Sequence, residues 1–191
     1  TENGVEDILD GAASGDIKVV YNLGADELDT SRLKKAFVIY QGSHGDEGVK
    51  NADVILPGVA YTEKPGTYLN TEGRVQRAQR SIFGPGEARE DWTVFRALSE
   101  VLGNALSYDD INELRSEMIK EYPHFAELDQ KPTAAWADIG VAGKVSSDGF
   151  TLAIKDFYGT NPIARSSATM AECRDAMNGS DQTEGATGTN G

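Results

Sequence analysis

Two histidines, one cysteine and 31 carboxylates are the side chains of this 191-residue sequence best suited to act as ligands, bases or nucleophiles. Their spacing restricts the chemistry. Cys173 has no second thiol. That excludes an intrachain disulfide, a Cys-rich zinc site, and a self-contained iron–sulfur cluster with its about four cysteine ligands. With no histidine beside it, Cys173 reads as an inert helix residue. His44 lies in Gln41-Gly42-Ser43-His44-Gly45-Asp46-Glu47-Gly48, whose three glycines invite comparison with a phosphate cradle. Neither the GxGxxG nor the GxxxxGK[ST] spacing is present, and Asp46 and Glu47 would repel a phosphate. The better reading is a tight turn whose glycines supply positive φ. No cysteine, second histidine or paired nucleophile accompanies His44, so it reads as a polar loop residue. His124 follows Pro123 at a predicted helix end and receives no role.

The charge balance excludes more. With 31 acidic and 18 basic residues the net charge is −13, which repels a nucleic-acid backbone. It suits either a solvated surface or docking to a basic partner. No apolar run reaches the roughly 18 residues of a membrane span, so none is expected. A single thiol leaves the compartment open, and nothing suggests secretion. The sequence starts at Thr1 without an Arg-rich presequence. Two readings follow: a targeting peptide has been removed, or part of a longer product is in view.

The elements that must position these residues are read from periodicity. Val5, Ile8, Leu9 and Ala12 form one stripe of a helix over residues 2–12, which Gly11 weakens and Gly15 ends. Residues 17–23 are β-branched and nearly continuously apolar, as in a strand covered on both faces. Gly24-Ala25-Asp26 lies at that strand's carboxyl end, the edge where open parallel sheets usually hold ligands. An acidic helix over 27–34 leads to a second strand, 36–40, completing a right-handed βαβ unit. Residues 54–56 form a short strand stopped by Pro57-Gly58. Residues 67–70 and 75–79 form a hairpin turned by Gly73, with Glu72 and Arg74 placed to pair with each other or with a neighbour. Helices follow at 88–102, with Trp92, Phe95, Leu98 and Leu102 as its stripe, and at 109–122, with Asp110 and Glu113 as a capping box. Residues 123–150 are irregular around one large anchor, Trp136. A short strand is predicted at 151–154 and a last helix at 161–177. Residues 178–191 are polar and disordered by composition, held in place by a neighbour.

Residues 52–76, ADVILPGVAYTEKPGTYLNTEGRVQ, resemble the molybdopterin-oxidoreductase superfamily through Pro57, Glu63, Gly66, Asn70, Glu72, Gly73, Arg74 and Gln76. Further stretches narrow the likeness. Tyr40-Gln41-Gly42 with His44-Gly45-Asp46, Ala60-Tyr61-Thr62-Glu63-Lys64, Ala88-Arg89-Glu90-Asp91-Trp92 and Arg96-Ala97-Leu98-Ser99-Glu100 are similar to the large iron–sulfur subunit of respiratory complex I. Leu23-Gly24-Ala25-Asp26 and Ile154-Lys155-Asp156-Phe157-Tyr158 also fit.

The resemblance implies an α/β fold: a partial Rossmann-like parallel sheet with a β-hairpin, followed by a helical C-terminal extension. It implies a molybdopterin-oxidoreductase-like unit over 1–105, a helical and irregular extension over 106–177, and a polar tail over 178–191. The family's cysteine-rich, cluster-bearing part is not matched, which identifies the C-terminal piece of a split large subunit. Pro57, Glu63, Asn70, Glu72, Gly73, Arg74 and Gln76 are then structural residues. Catalytic, metal and cofactor-binding residues are expected to be absent, with iron–sulfur clusters and FMN elsewhere in the complex. The partners implied are the cluster-bearing remainder on another chain and other peripheral-arm subunits, without nucleic acid or a membrane span. The implied place is the matrix side of the mitochondrial inner membrane, or the cytoplasmic face for a bacterial source. Two other readings stand beside this one. In a molybdenum or tungsten oxidoreductase such as a formate dehydrogenase, residues 42–48 would hold a pterin's phosphates. The βαβ pattern alone would suit a freestanding nucleotide-binding module.

Overall fold

The computed structural model describes residues 4–137, 140–151, 154 and 156–180. It is a mixed α/β fold. Helix α1 (Val5–Ser14) starts where the Asp7 carboxylate accepts the Gly4 N–H at 2.9 Å, and ends at Gly15 with φ 92°. Its Leu9 and Ala12 are buried; Val5 and Ile8, on the same predicted stripe, are exposed. Strands β1 (Val19–Leu23), β2 (Phe37–Gly42) and β3 (Val54–Pro57) form a parallel sheet in the order β1-β2-β3, with Val20 opposite Val38 and Tyr40 opposite Ile55. Strands β4 (Gly66–Leu69) and β5 (Val75–Ala78) form the predicted antiparallel hairpin, with Gly73 at φ 81° in its turn.

The βαβ expectation needs correcting between β1 and β2. In place of a helix over 27–34 there is one 3-10 turn, Thr30–Leu33. The Asp29 carboxylate accepts both the N–H and the hydroxyl of Ser31, at 3.0 and 2.6 Å. That local bond gives the backbone an alternative to a regular helix. Leu33 is nevertheless buried, and with Leu9, Ala12, Ala36 and Val38 it makes the core on one face of the sheet.

The other face is thinly covered. Helix α2 (Asp91–Val101) sends Phe95 against Tyr21, ring centroids 5.1 Å apart. Toward the strands' amino ends nothing covers Val19, 56% exposed, or Phe37, 48% exposed. The expectation that residues 17–23 are covered on both faces therefore fails within this chain. An apolar groove of about 150 Å³ also follows β1 on the side of Val5, Ile8 and Leu23.

Helix α3 (Ile111–Glu121) is capped by Asp110, whose carboxylate accepts the N–H groups of Asn112 and Glu113. Glu113 reaches back to the N–H of Asp109, one residue earlier than in the expected box. A 3-10 turn, Pro123–Ala126, follows, and the chain then runs without helix or strand among the described residues as far as 160. Trp136 anchors nothing within the chain, being 92% exposed. The predicted strand at 151–154 lies largely outside the described residues, as does the tail from 181.

The last predicted helix is two: α4 (Pro162–Arg165) and α5 (Ala168–Ser180). The Ser166 hydroxyl donates to the Pro162 carbonyl at 2.8 Å, and the Ser167 hydroxyl accepts the Met170 N–H at 3.4 Å. These serines end one helix and cap the next.

A parallel sheet with an open apolar face exposes too much hydrocarbon to pack tightly. The chain purified alone is expected to bind an apolar dye and to melt without a sharp transition. A sharp, cooperative melt with no dye binding contradicts this.

Candidate functional site

The chemistry-bearing residues gather at the carboxyl edge of the sheet, where the loops after β1 and β2 meet. Asn22 closes the first loop on itself: its side chain donates to the Ala25 carbonyl at 2.9 Å and accepts the Ala25 N–H at 3.0 Å. Gly24, at φ 61°, turns back so that its N–H meets the Gln41 carbonyl at 2.8 Å. This delivers Asp26, 4% exposed, beneath the second loop. Its carboxylate accepts the Gly48 N–H at 2.8 Å and the Tyr40 hydroxyl at 3.2 Å. Burial, reinforced by the Asp26 charge, pushes the Tyr40 phenol up to about 12. It remains a neutral donor at any ordinary pH. A Cβ on Gly48 would overlap the Tyr40 ring, so only glycine fits there.

This arrangement answers the phosphate question for residues 42–48. The Gly48 amide is committed to Asp26, and the loop is surrounded by carboxylates. Arg165, from α4, binds Asp46 through Nε and Glu27 through Nη2 at 2.8 Å, and its Nη1 donates to the Gly159 carbonyl at 2.9 Å. The edge is filled by the protein's own ion pairs. His44 stays in the loop beside the Ser43 hydroxyl, 3.0 Å from its Nδ1. His124 stacks on Phe125 with centroids 4.3 Å apart, and Cys173 is half-buried in α5.

A second polar chain crosses the thinly covered face. The Tyr21 hydroxyl donates to Gln41, whose Nε2 donates to Asp91 at 2.7 Å, and Asp91 pairs with Lys64. Gln41 is fully buried, so both ends of its amide require partners. Burial, with the Asp91 charge second, raises the Tyr21 phenol above its ordinary value. Lys64 also borders a cleft of about 710 Å³ between Tyr61 and Tyr68 on one side and Ile163 and Met170 on the other. Among the described residues no group of three histidines, cysteines or carboxylates is placed to hold a metal.

The seven family-motif residues act on backbone geometry. Pro57 ends β3 opposite Gly42. The Glu63 carboxylate accepts the Ala60 N–H at 2.8 Å. Asn70 accepts the N–H groups of Glu72 and Arg74, at 3.1 and 2.9 Å, and so shapes the hairpin turn. Arg74 does both things its sequence allowed: it pairs with Glu72 at 3.0 Å and donates to the Asp129 carbonyl at 3.0 Å. A Cβ at Gly73 would meet the Pro132 ring at 2.7 Å, and Gln76 lies opposite Tyr68 in the hairpin. The turn is thus the landing place for residues 128–132.

The comparisons with known proteins agree with that division. A family model described as molybdopterin oxidoreductase matches residues 2–101. The chain belongs to the molybdopterin oxidoreductase family. A second model, for the C-terminal region of the NADH-ubiquinone oxidoreductase G-subunit, matches residues 125–173, so the Arg74–Asp129 contact joins the two matched regions of this family member. Curated relatives include the NADH-ubiquinone oxidoreductase 75 kDa subunit of Reclinomonas americana, 44% identical over 157 residues. They also include the mitochondrial 78 kDa subunit of Candida albicans, 46% identical over 167, and the NADH-quinone oxidoreductase G-subunit of Rickettsia felis, 41% identical over 161. The alignments cover 81, 82 and 84% of this chain but 23, 23 and 24% of those proteins. Among solved structures, acetylene hydratase from Pelobacter acetylenicus is similar over 51% of this chain and 15% of its own, at 21% identity and a TM-score of 0.42.

The resemblance read from residues 52–76 therefore holds. Sequence reasoning missed Asp26, Tyr40 and Gly48 as one unit, and Arg165 altogether. Replacing Arg165 by Ala is expected to free α4 and α5 from the sheet edge. The cost is about 2 kcal/mol, between the exposed and buried ion-pair ranges. Protease cleavage between residues 140 and 180 should then speed up roughly 30-fold. An unchanged rate contradicts the strap.

Proposed function

We propose that this chain is a structural segment of the large iron–sulfur subunit of NADH–ubiquinone oxidoreductase, respiratory complex I. It carries no electrons itself. It braces the cluster-bearing part of that subunit while electrons pass from NADH to quinone. The observation that carries the reading is the pairing of the two matched families in one chain, molybdopterin oxidoreductase followed by the C-terminal region of the NADH-ubiquinone oxidoreductase G-subunit. The site supports it chemically: the groups able to bind a ligand at the sheet edge are bound to one another.

The remainder of the large subunit, on a separate chain, lies against the uncovered face and the open edge of β1. Other peripheral-arm subunits complete the surroundings. Iron–sulfur clusters and FMN belong to those neighbours, and the motif residues Pro57, Glu63, Asn70, Glu72, Gly73, Arg74 and Gln76 keep a structural role here. Among the described residues no helix is long and apolar enough to cross a membrane. The place assigned is the matrix side of the mitochondrial inner membrane, within the peripheral arm.

The test is native purification through a tag on this chain, with mass spectrometry of what accompanies it and metal analysis. The expected result is complex I subunits with iron and without molybdenum or tungsten. Molybdenum or tungsten at about one per chain would replace this reading with a pterin oxidoreductase. A chain recovered alone would contradict both.

A further inference from the structure

Seven of the nine arginines are paired with a carboxylate, Arg80 through Glu90 at 3.6 Å among them. The two that have no such partner among the described residues, Arg77 and Arg115, are neighbours. Arg77 shares a face of β5 with the buried Val75, whose strand meets the segment that follows α3. Arg115 projects from α3. Its Nε and Nη2, the edge that can grip a carboxylate with two parallel N–H groups, are shut off from water and have no acceptor. Burial lowers the affinity of this guanidinium for its proton, and the Arg77 charge lowers it further against the pull of Glu90. Glu90 cannot relieve the pair, because its carboxylate already accepts the Trp92 indole N–H at 2.8 Å and faces Arg80.

A buried donor without an acceptor is costly, and two like charges side by side add to the cost. In a chain of net charge −13, an unpaired double cation is the exception on its own surface. We propose that an aspartate or glutamate of the adjoining polypeptide, the remainder of the large subunit, seats between Arg77 and Arg115. This rests on the function proposed above. A protein carboxylate is favoured over a free anion by what lies beside the pair. Arg80 stacks over Phe83, its Cζ 4.4 Å from the ring centroid, and Phe83 and Ile82 are 80% and 57% exposed. Arginine and an exposed aromatic side by side are typical of a protein interface core, whereas a small anion has no use for the ring. Side-chain rotation of the kind common on association opens the Nε–Nη2 edge.

The test expresses tagged full chains in cells that also make the wild-type chain, and measures the fraction of each that reaches purified complex I. Arg115→Met and Arg77→Met are each expected to reduce incorporation at least tenfold. Neither should lower the total level of the chain, since an unsatisfied charge has been removed. Arg174→Met, which removes an arginine paired with Asp175, should incorporate like wild type. If Arg115→Met lowers the chain's own level, Arg115→Lys decides. It keeps the charge and loses the fork, and a tenfold drop supports the site. Incorporation of the Arg115 variants equal to wild type overturns the inference, also where inorganic phosphate protects the wild-type chain from heat, which would mark a free-anion site instead. A wild-type chain absent from complex I would overturn the proposed function and this inference together.

Discussion

Three parallel strands present two apolar faces, and both must be shielded from water for the sheet to be stable. Here one face is closed by α1 and the Thr30–Leu33 turn around Leu9, Leu33 and Val38. The other depends on Phe95 and a few polar contacts, and Val19 and Phe37 remain open. Both β1 and β3 are edge strands. Natural sheets rarely leave long apolar edges bare, because such edges recruit other chains. The bare face is coherent if more polypeptide of the same subunit lies against it, and it makes little sense in a freestanding nucleotide-binding module.

The carboxyl edge expresses a related economy. In many open α/β folds this edge holds a ligand through free backbone N–H groups and glycine loops. Here the glycines remain, but Asp26 takes the Gly48 amide, Tyr40 closes over Asp26, and Arg165 neutralises Asp46 and Glu27. These strong polar groups all have partners from the same chain. The fold keeps the outline of a binding site while its donors serve cohesion. Arg165 also ties α4 to the sheet, and Arg74 ties the hairpin to Asp129. Two polar contacts thus hold the region matched at 125–173 against the region matched at 2–101.

How much of this was legible in the sequence follows the range of the interactions. The three strands and the hairpin were readable because β-branched runs and Gly73 act within a few residues. So was the Asp110 cap. The helix expected at 27–34 failed through the Asp29–Ser31 bond, and the single helix expected at 161–177 failed at Ser166 and Ser167. Both are side-chain bonds that compete locally with the helix ladder. The contacts that define the site were not legible. Tyr40 and Gly48 are 14 and 22 residues from Asp26, and Arg165 is 119 from Asp46, so no spacing rule reaches them. Trp136 was expected to be an anchor because large aromatics are usually buried, and the surface that would bury it is not in this chain.

The central claim is that the sheet is completed from outside. Amide hydrogen exchange, compared between the chain alone and the chain within its native assembly, tests it most directly. The account predicts that the amides of β1 and β3 exchange rapidly in the isolated chain and become strongly protected in the assembly, with the segment after Arg80 following them. Equal protection of both edge strands in the two states would contradict it, since the sheet would then be complete by itself.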